Sequence, residues 1–158
     1  MRPRTLFTGL TTTATAVAAA CLVTTPAHAA PGLVDGAISA LGYGCTFANA
    51  ATSNTPPATL TIDRTTLVPQ CSSGIGLSLA NSPTVSFNDT AGTASSAQID
   101  VNGSGLGISC TYRVAGASFT RSGTTRTYNG GPYTASKIGG GFLCPGTTTV
   151  NPITFTFH

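Results

Sequence analysis

The sequence has very little charge. Only 7% of its 158 residues are charged, and it contains neither Glu nor Trp. Ordinary soluble domains carry about 25% charged residues, so neutral Ser, Thr, Asn and Gly must form most of the hydrated surface. A coiled coil, a helical bundle and a basic nucleic-acid-binding arm all need abundant Glu, Lys or Arg. The composition therefore excludes these classes.

The first 29 residues have the features of a cleaved signal peptide. The basic segment Met1–Arg4 is followed by an uncharged, apolar stretch, and Ala27–Ala29 matches the A-x-A pattern that precedes a cleavage site. The alternative is a lipoprotein that is acylated at Cys21. We predict a signal peptide at 1–29 and one secreted, extracellular β domain at 30–158.

The predicted mature chain is almost neutral. It keeps five cationic side chains against four aspartates, a formal charge of +1, which gives no electrostatic reason to expect nucleic acid or an anionic membrane as a partner. No further segment is long and apolar enough for a transmembrane span.

The excess of Arg over Lys and the many Ala, Thr and Gly residues are typical of a bacterial protein. The glycosylation sequons at Asn88 and Asn102 are therefore expected to be unmodified but exposed.

Four cysteines remain after the predicted cleavage, at spacings that do not resemble a metal or redox motif. An even number of cysteines in an exported chain indicates two disulfides. Three pairings are possible, and we favour Cys45–Cys71 with Cys110–Cys144 because each closes a local loop. A zinc site would need clustered thiols or histidines, and only His158 remains. We therefore expect no metal and no cofactor.

Short runs of alternating apolar residues recur about every ten residues and are separated by turn residues. This pattern is typical of a small antiparallel β-sandwich or a partly closed barrel, so the predicted fold class is all-β with disulfides. Residues 153–157 are predicted to be a terminal strand whose Ile153, Phe155 and Phe157 point inward. Only Pro31–Ala40 is a candidate for a short helix. The aromatic core candidates are Tyr43, Phe47, Phe87, Tyr112, Phe119, Phe142, Phe155 and Phe157.

Two hairpins are predicted from local sequence. Asn102-Gly103 is a preferred dipeptide of a two-residue type I′ turn, and placing the turn there pairs Ile99 with Leu106 and puts the apolar residues of both strands on one face. A second turn at Ser122-Gly123 is predicted to join Ser118–Arg121 to Thr124–Tyr128.

The residues that catalysis usually requires are scarce. General acid–base catalysis relies most often on His, Glu or Asp, but Glu is absent and His158 is the last residue of the sequence, where chains normally fray. The four aspartates, Asp35, Asp63, Asp89 and Asp100, lie in no catalytic motif, and Asp63-Arg64 is expected to be a turn or an ion pair at a strand end. Asp100 to Gly105 resembles the start of an EF-hand loop, but Thr111 stands where that loop needs Glu. We therefore predict no catalytic residues.

The best candidate for a binding patch surrounds the turn residues 129–132. Aromatic and arginine side chains dominate binding hot spots, and this region contains Tyr128, Tyr133, Arg121, Arg126 and Lys137. The alternative is that both tyrosines pack in the interior and the basic side chains are simply solvated.

Three functions remain open on these grounds. The first is a non-catalytic extracellular module that binds a protein or glycan, or that contributes to the cell surface. The second is an inhibitor of a secreted hydrolase that presents a rigid loop at 129–137. The third is a hydrolase that uses its aspartates.

Overall fold

The computed structural model describes residues 31–40, 42–72 and 74–158. The predicted signal peptide and Cys21 lie outside this range. The described chain contains no helix and folds into eleven strands, which confirms the all-β class. The strands are β1 (Gly32–Ala40), β2 (Tyr43–Thr52), β3 (Leu60–Thr61), β4 (Gln70–Cys71), β5 (Gly76–Leu79), β6 (Thr84–Asn88), β7 (Thr93–Gly105), β8 (Ile108–Arg121), β9 (Thr127–Gly130), β10 (Tyr133–Gly140) and β11 (Thr147–Phe157).

The strands form one antiparallel sheet that curls around a single core. Its order is β3-β6-β7-β8-β10-β11-β1-β2-β4, and β5 adds to β7. Near the two ends of this order, Thr52 of β2 forms a bridge with Ile62, which directly follows β3. The Ser53 amide also donates to the Thr61 carbonyl oxygen at 3.0 Å. These contacts make the sheet a partly closed barrel, one of the two predicted forms.

β9 and β10 lie end to end between β8 and β11. β9 pairs with residues 119–121 of β8 and 153–156 of β11, whereas β10 pairs with 110–113 and 147–150. The two short strands thus connect β8 to β11 along most of their length.

One end of the barrel interior is filled by aromatic side chains. Phe87 packs edge-on against Phe157 and Tyr128 at ring-centroid distances of 5.3 and 5.2 Å, and Phe119 packs against Phe155 at 5.4 Å. Edge-to-face packing at these distances is the geometry that aromatic pairs prefer. The predicted terminal strand is confirmed, because Ile153, Phe155 and Phe157 are all buried.

Two aromatic residues predicted for the core lie at the surface instead. Phe142 is 93% exposed and Tyr43 is 41% exposed. Both occur at the end of the barrel opposite the aromatic cluster, beside the chain segments that the disulfides join.

The candidate helix at Pro31–Ala40 is wrong, because Gly32–Ala40 is strand β1. It lies between β2 and β11 and pairs with both. Val34 and Ile38 are buried on its inner face. Gly36 is required there, since a Cβ atom at this position would lie 2.3 Å from the ring of Phe47. Pairing on both sides outweighs the weak local preference for helix.

The predicted turn at Asn102-Gly103 is also wrong. The turn of the β7–β8 hairpin is Leu106-Gly107, where φ is positive at both residues as a type I′ turn requires. Ile99 therefore pairs with Val114 rather than with Leu106. Asn102 and Gly103 lie inside β7, between β5 and β8, and the longer strands form more ladder hydrogen bonds than a turn at Asn102 would allow.

The second predicted hairpin is present with a longer loop. β8 ends at Arg121, β9 begins at Thr127, and the Ser122 amide donates to the Thr127 carbonyl oxygen at 2.8 Å.

The disulfides are Cys45–Cys71 and Cys110–Cys144. This is the pairing predicted because each bond closes a local loop.

Candidate ligand-binding pocket

A pocket of about 360 Å³ opens at the barrel end opposite the aromatic cluster. Its wall combines the end of β1, the start of β2, β5, the tip of the β7–β8 hairpin and the start of β11. Barrel mouths are frequent ligand sites, and functional pockets measure about 300–1,000 Å³. We call this cavity the mouth pocket.

Gly103 accounts for part of the open space. In β7 it shares the inward-facing side with Val101, and both residues line the pocket. A Cβ atom placed on Gly103 would have no atom within 4 Å. A glycine at an inward strand position removes a core side chain and often marks the place where a ligand approaches the backbone.

The wall is mostly apolar. None of the described residues that line it is Asp, Glu, Lys, Arg or His. Its apolar surface comes mainly from aliphatic side chains in or beside five strands, among them Ile38, Ile75, Leu77, Val101, Ile108 and Val150.

Two wall residues carry buried hydroxyl groups that lack a hydrogen-bond partner. Tyr112 is 5% exposed and Thr148 is 7% exposed, and neither the Tyr112 Oη atom nor the Thr148 Oγ1 atom makes a hydrogen bond within the described chain. Buried polar groups are nearly always paired in folded proteins, and leaving one unpaired costs about 1–3 kcal/mol. Two wall residues of one apolar pocket thus hold unpaired polar groups directly beside the space that a ligand would fill.

Both disulfides fix segments of the wall. Cys45 and Cys110 line the mouth pocket themselves. Cys110 is bonded to Cys144, which lies between the wall residues Leu143 and Pro145. The Lys137 Nζ atom donates to the Cys144 carbonyl oxygen at 3.2 Å and further anchors this loop.

The rim of the pocket exposes apolar side chains to solvent. Leu106 at the hairpin tip is fully exposed, and Leu143 is 59% exposed. Both line the pocket. Exposed apolar side chains at a cavity entrance are typical of ligand-binding sites.

The predicted binding patch is not assembled as expected. Tyr128 is 1% exposed and packs against Phe87 and Phe157, so it is a core residue and cannot contact a ligand at the surface. Tyr133 is half-buried, its ring packs against Phe119, and its hydroxyl donates to the Ser118 carbonyl oxygen. Burial raises the pKa of Tyr133 above its ordinary value, although its hydrogen bonds oppose this effect.

Lys137 lies far from the other two basic residues of that patch. Lys137 pairs with Tyr112 near the start of β8, whereas Arg121 is nine residues further along the strand, about 30 Å at 3.3 Å per residue. The Arg121 Nη1 atom donates to Asp89 Oδ1 at 2.8 Å. Arg126 is exposed in the β8–β9 loop.

Each aspartate has its own structural partner. The Asp100 carboxylate accepts from Arg113 Nε and Nη2, both at 2.8 Å, and these bonds hold its pKa below the ordinary value even though burial opposes them. Asp63 accepts from the Thr65 hydroxyl at 2.7 Å, which lowers its pKa and forms the turn expected at this position. Asp35 accepts from the Asn49 amide at 2.8 Å.

His158 is held in place rather than frayed. Its backbone N–H donates to the Leu33 carbonyl oxygen at 2.9 Å, and its carbonyl oxygen accepts from the Leu33 amide at 2.8 Å. Its Nδ1 atom lies 4.0 Å from Asp35 Oδ2. Within the described residues, no group of three or more His, Cys, Asp or Glu side chains could hold a metal ion.

Local sequence patterns do not predict the mouth pocket. They indicate an ordinary core residue at Tyr112 and a turn residue at Gly103, and they give no signal at Thr148. An inward-facing glycine in a run of alternating apolar residues was the available signal, but it is readable only once the register of β7 is known.

Comparison with known proteins returns no match among protein-family models, curated proteins or solved structures. In the part of the chain that the structure describes, no helix has the length and apolar character needed to cross a membrane.

Proposed function

We propose that this chain is a secreted, non-catalytic binding domain that holds a small-molecule ligand in the mouth pocket. The observation that carries the proposal is the coincidence of an apolar cavity of about 360 Å³ with two buried, unpaired hydroxyl groups in its wall. A preformed apolar cavity with a few polar groups is the usual form of a small-molecule site.

The chemistry of the described residues supports binding rather than turnover. The aspartates support the fold through Arg113, Arg121, Thr65 and Asn49. None of them lines the mouth pocket. A glycosidase or an aspartic protease instead needs two carboxyl groups that face one substrate.

Two other earlier hypotheses gain less support. The inhibitor hypothesis needs a projecting loop at 129–137, but residues 133–140 form β10, which is paired on both sides. A glycan ligand would require many hydrogen-bonding groups, whereas the wall of the mouth pocket offers few.

The two disulfides are compatible with an oxidising, extracellular location.

An uncharged fluorescent dye tests the proposal directly. N-phenyl-1-naphthylamine brightens in apolar surroundings, and we expect saturable binding of one dye molecule per folded chain. Gly103→Phe should fill the cavity and abolish this binding. Ala97→Phe, on the exposed face of the same strand, adds the same side chain outside the pocket and should leave binding unchanged.

Near-ultraviolet circular dichroism of the tyrosines would verify that both variants are folded. Absence of saturable dye binding to the wild-type protein would overturn the proposal. Equal binding by the folded Gly103→Phe variant would also overturn it, because the dye would then occupy another surface.

A further inference from the structure

We infer that the ligand of the mouth pocket is an uncharged amphiphile, an aliphatic molecule with a hydrogen-bonding oxygen in its buried part. This inference rests on the proposed function and adds the chemical class of the ligand. It is carried by the lack of charged groups in the described wall, by the two unpaired hydroxyls and by the size of the cavity.

The wall selects against an ion. Moving a charged group from water into an apolar site is very unfavourable unless an opposite charge meets it. The basic side chain nearest in register, Lys137, already donates to the Cys144 carbonyl oxygen and does not line the pocket. A carboxylate or an ammonium group in the buried part of the ligand would therefore lose its hydration without compensation.

The hydroxyls of Tyr112 and Thr148 select for a polar end group. Tyr112 is on β8 and Thr148 is on β11, with β10 between them. Tyr112 pairs with Lys137 and Thr148 with Ala135, so their backbones are two strand spacings apart and offset by two residues, about 12 Å in total. Ala135, the partner of Thr148 on β10, is fully buried and small. Each hydroxyl can donate and accept, and each oxygen atom is covered by neighbouring atoms in the unliganded wall. A ligand oxygen can therefore satisfy a group that folding leaves unpaired once a side-chain rotation uncovers it.

The cavity volume limits the size of the buried part. If a water-sized group occupies about 30 Å³, the pocket holds on the order of a dozen such groups. An alkyl chain of medium length with one terminal hydroxyl matches this volume. The exposed Leu106 and Leu143 at the rim extend the apolar contact for a chain that protrudes.

Displacement of the dye by four eight-carbon probes tests the inference. The probes are 1-octanol, 1-chlorooctane, octanoate and octylammonium at pH 7. We expect 1-octanol to bind about three- to tenfold more tightly than 1-chlorooctane, the range that one neutral hydrogen bond provides. Octanoate and octylammonium should bind at least about tenfold more weakly than the alcohol.

Single-atom variants identify the groups responsible. Tyr112→Phe and Thr148→Val should each reduce the preference for 1-octanol over 1-chlorooctane at least about twofold. The affinity for 1-chlorooctane itself should not fall. Tyr128→Phe removes a hydroxyl from a buried tyrosine outside the pocket and is the matched control. Tyr112→Phe should also melt at the same or a higher temperature than the wild type, because it removes an unpaired buried group.

The outcomes separate the two proposals. If the dye binds in a manner that Gly103→Phe blocks, but the alcohol has no advantage or a charged probe binds best, the assigned ligand class is wrong and the binding function stands. An alcohol preference that survives in both hydroxyl variants would also overturn the inference, since the hydroxyls would then hold only water. If the dye does not bind at all, both proposals fail.

Discussion

Leu106 has an unfavourable backbone conformation and no compensating burial. Its φ is 51° at the tip of the β7–β8 hairpin, and its side chain is fully exposed. The left-handed region costs a residue with a Cβ atom about 1–2 kcal/mol, and type I′ turns favour Asn or Gly there. Strained residues concentrate at functional sites. The location of Leu106 on the rim of the mouth pocket therefore suggests that its side chain contributes to binding.

Replacement of Leu106 by Asn tests this interpretation. We expect Leu106→Asn to raise the free energy of unfolding by about 1 kcal/mol, because Asn tolerates positive φ at the first position of an Asn-Gly turn. The same variant should weaken dye binding several-fold. Denaturant unfolding and dye titration measure the two effects, and Val68→Asn removes an exposed apolar side chain outside the pocket as a control. Unchanged affinity would show that Leu106 does not contribute to the site.

The β7–β8 hairpin is held by a polar network on the side that faces away from the pocket. Besides its two bonds from Arg113, the Asp100 carboxylate accepts from Gln98 Nε2 at 2.7 Å. The Asp100 amide donates to Asn81 Oδ1 at 2.8 Å, which attaches the hairpin to the β5–β6 connection. The Asp100 side chain is only 8% exposed, whereas that of Arg113 is 41% exposed, so water screens part of the ion pair.

The lowered pKa of Asp100 predicts how stability depends on pH. Because its pKa is lower in the folded than in the unfolded state, the charged carboxylate stabilises the fold above the unfolded-state pKa near 3.8, and this contribution is lost as the pH falls through the folded-state pKa. Asp100→Asn should therefore lower the free energy of unfolding by about 1–2 kcal/mol at pH 7 and flatten its decline under acid conditions. The control, Asp89→Asn, alters a more exposed ion pair. Equal effects of the two substitutions in urea titrations at several pH values would contradict this assignment.

Sequence patterns predict a strand best where apolar and polar residues alternate without interruption. Ile153, Phe155 and Phe157 alternate cleanly and point inward as expected. The β7–β8 hairpin shows the limit of local patterns, because Asn102-Gly103 is the stronger turn signal but Leu106-Gly107 forms the turn. Pairing along both edges of β7 decides the register, and a local pattern does not contain that information.

The candidate site was harder to predict because its wall joins distant parts of the chain. Gly103 and Thr148 lie 45 positions apart in the sequence and meet only after the barrel has closed. Tyr128 is the reverse case, because the sequence indicated a binding residue and the structure buries it in the core. Its neighbours Asn129-Gly130 resemble an exposed turn, yet these residues continue β9 and pair with β11.

The two ends of the barrel are stabilised in different ways. One end is filled by interlocking aromatic rings from β6, β8, β9 and β11. The other end leaves space for the mouth pocket, and two covalent bonds join the chain segments around that space. Small extracellular domains commonly use disulfides where the core is limited. Here the disulfides occur at the end whose core contains the cavity.

This division predicts that the disulfides shape the binding site as well as stabilise the fold. A Cys110→Ala/Cys144→Ala double variant should lose about 3–4 kcal/mol of unfolding free energy, since the bond spans 34 residues. The aromatic end should remain folded, so the near-ultraviolet circular dichroism signal should persist. The affinity for the dye should fall about tenfold, because Leu143 and Pro145 are no longer fixed in the wall. The reference is Val85→Ala, a core truncation outside the pocket that also costs stability but should preserve affinity. If the disulfide variant is folded and binds the dye as tightly as the wild type, the bond stabilises the chain without shaping the pocket.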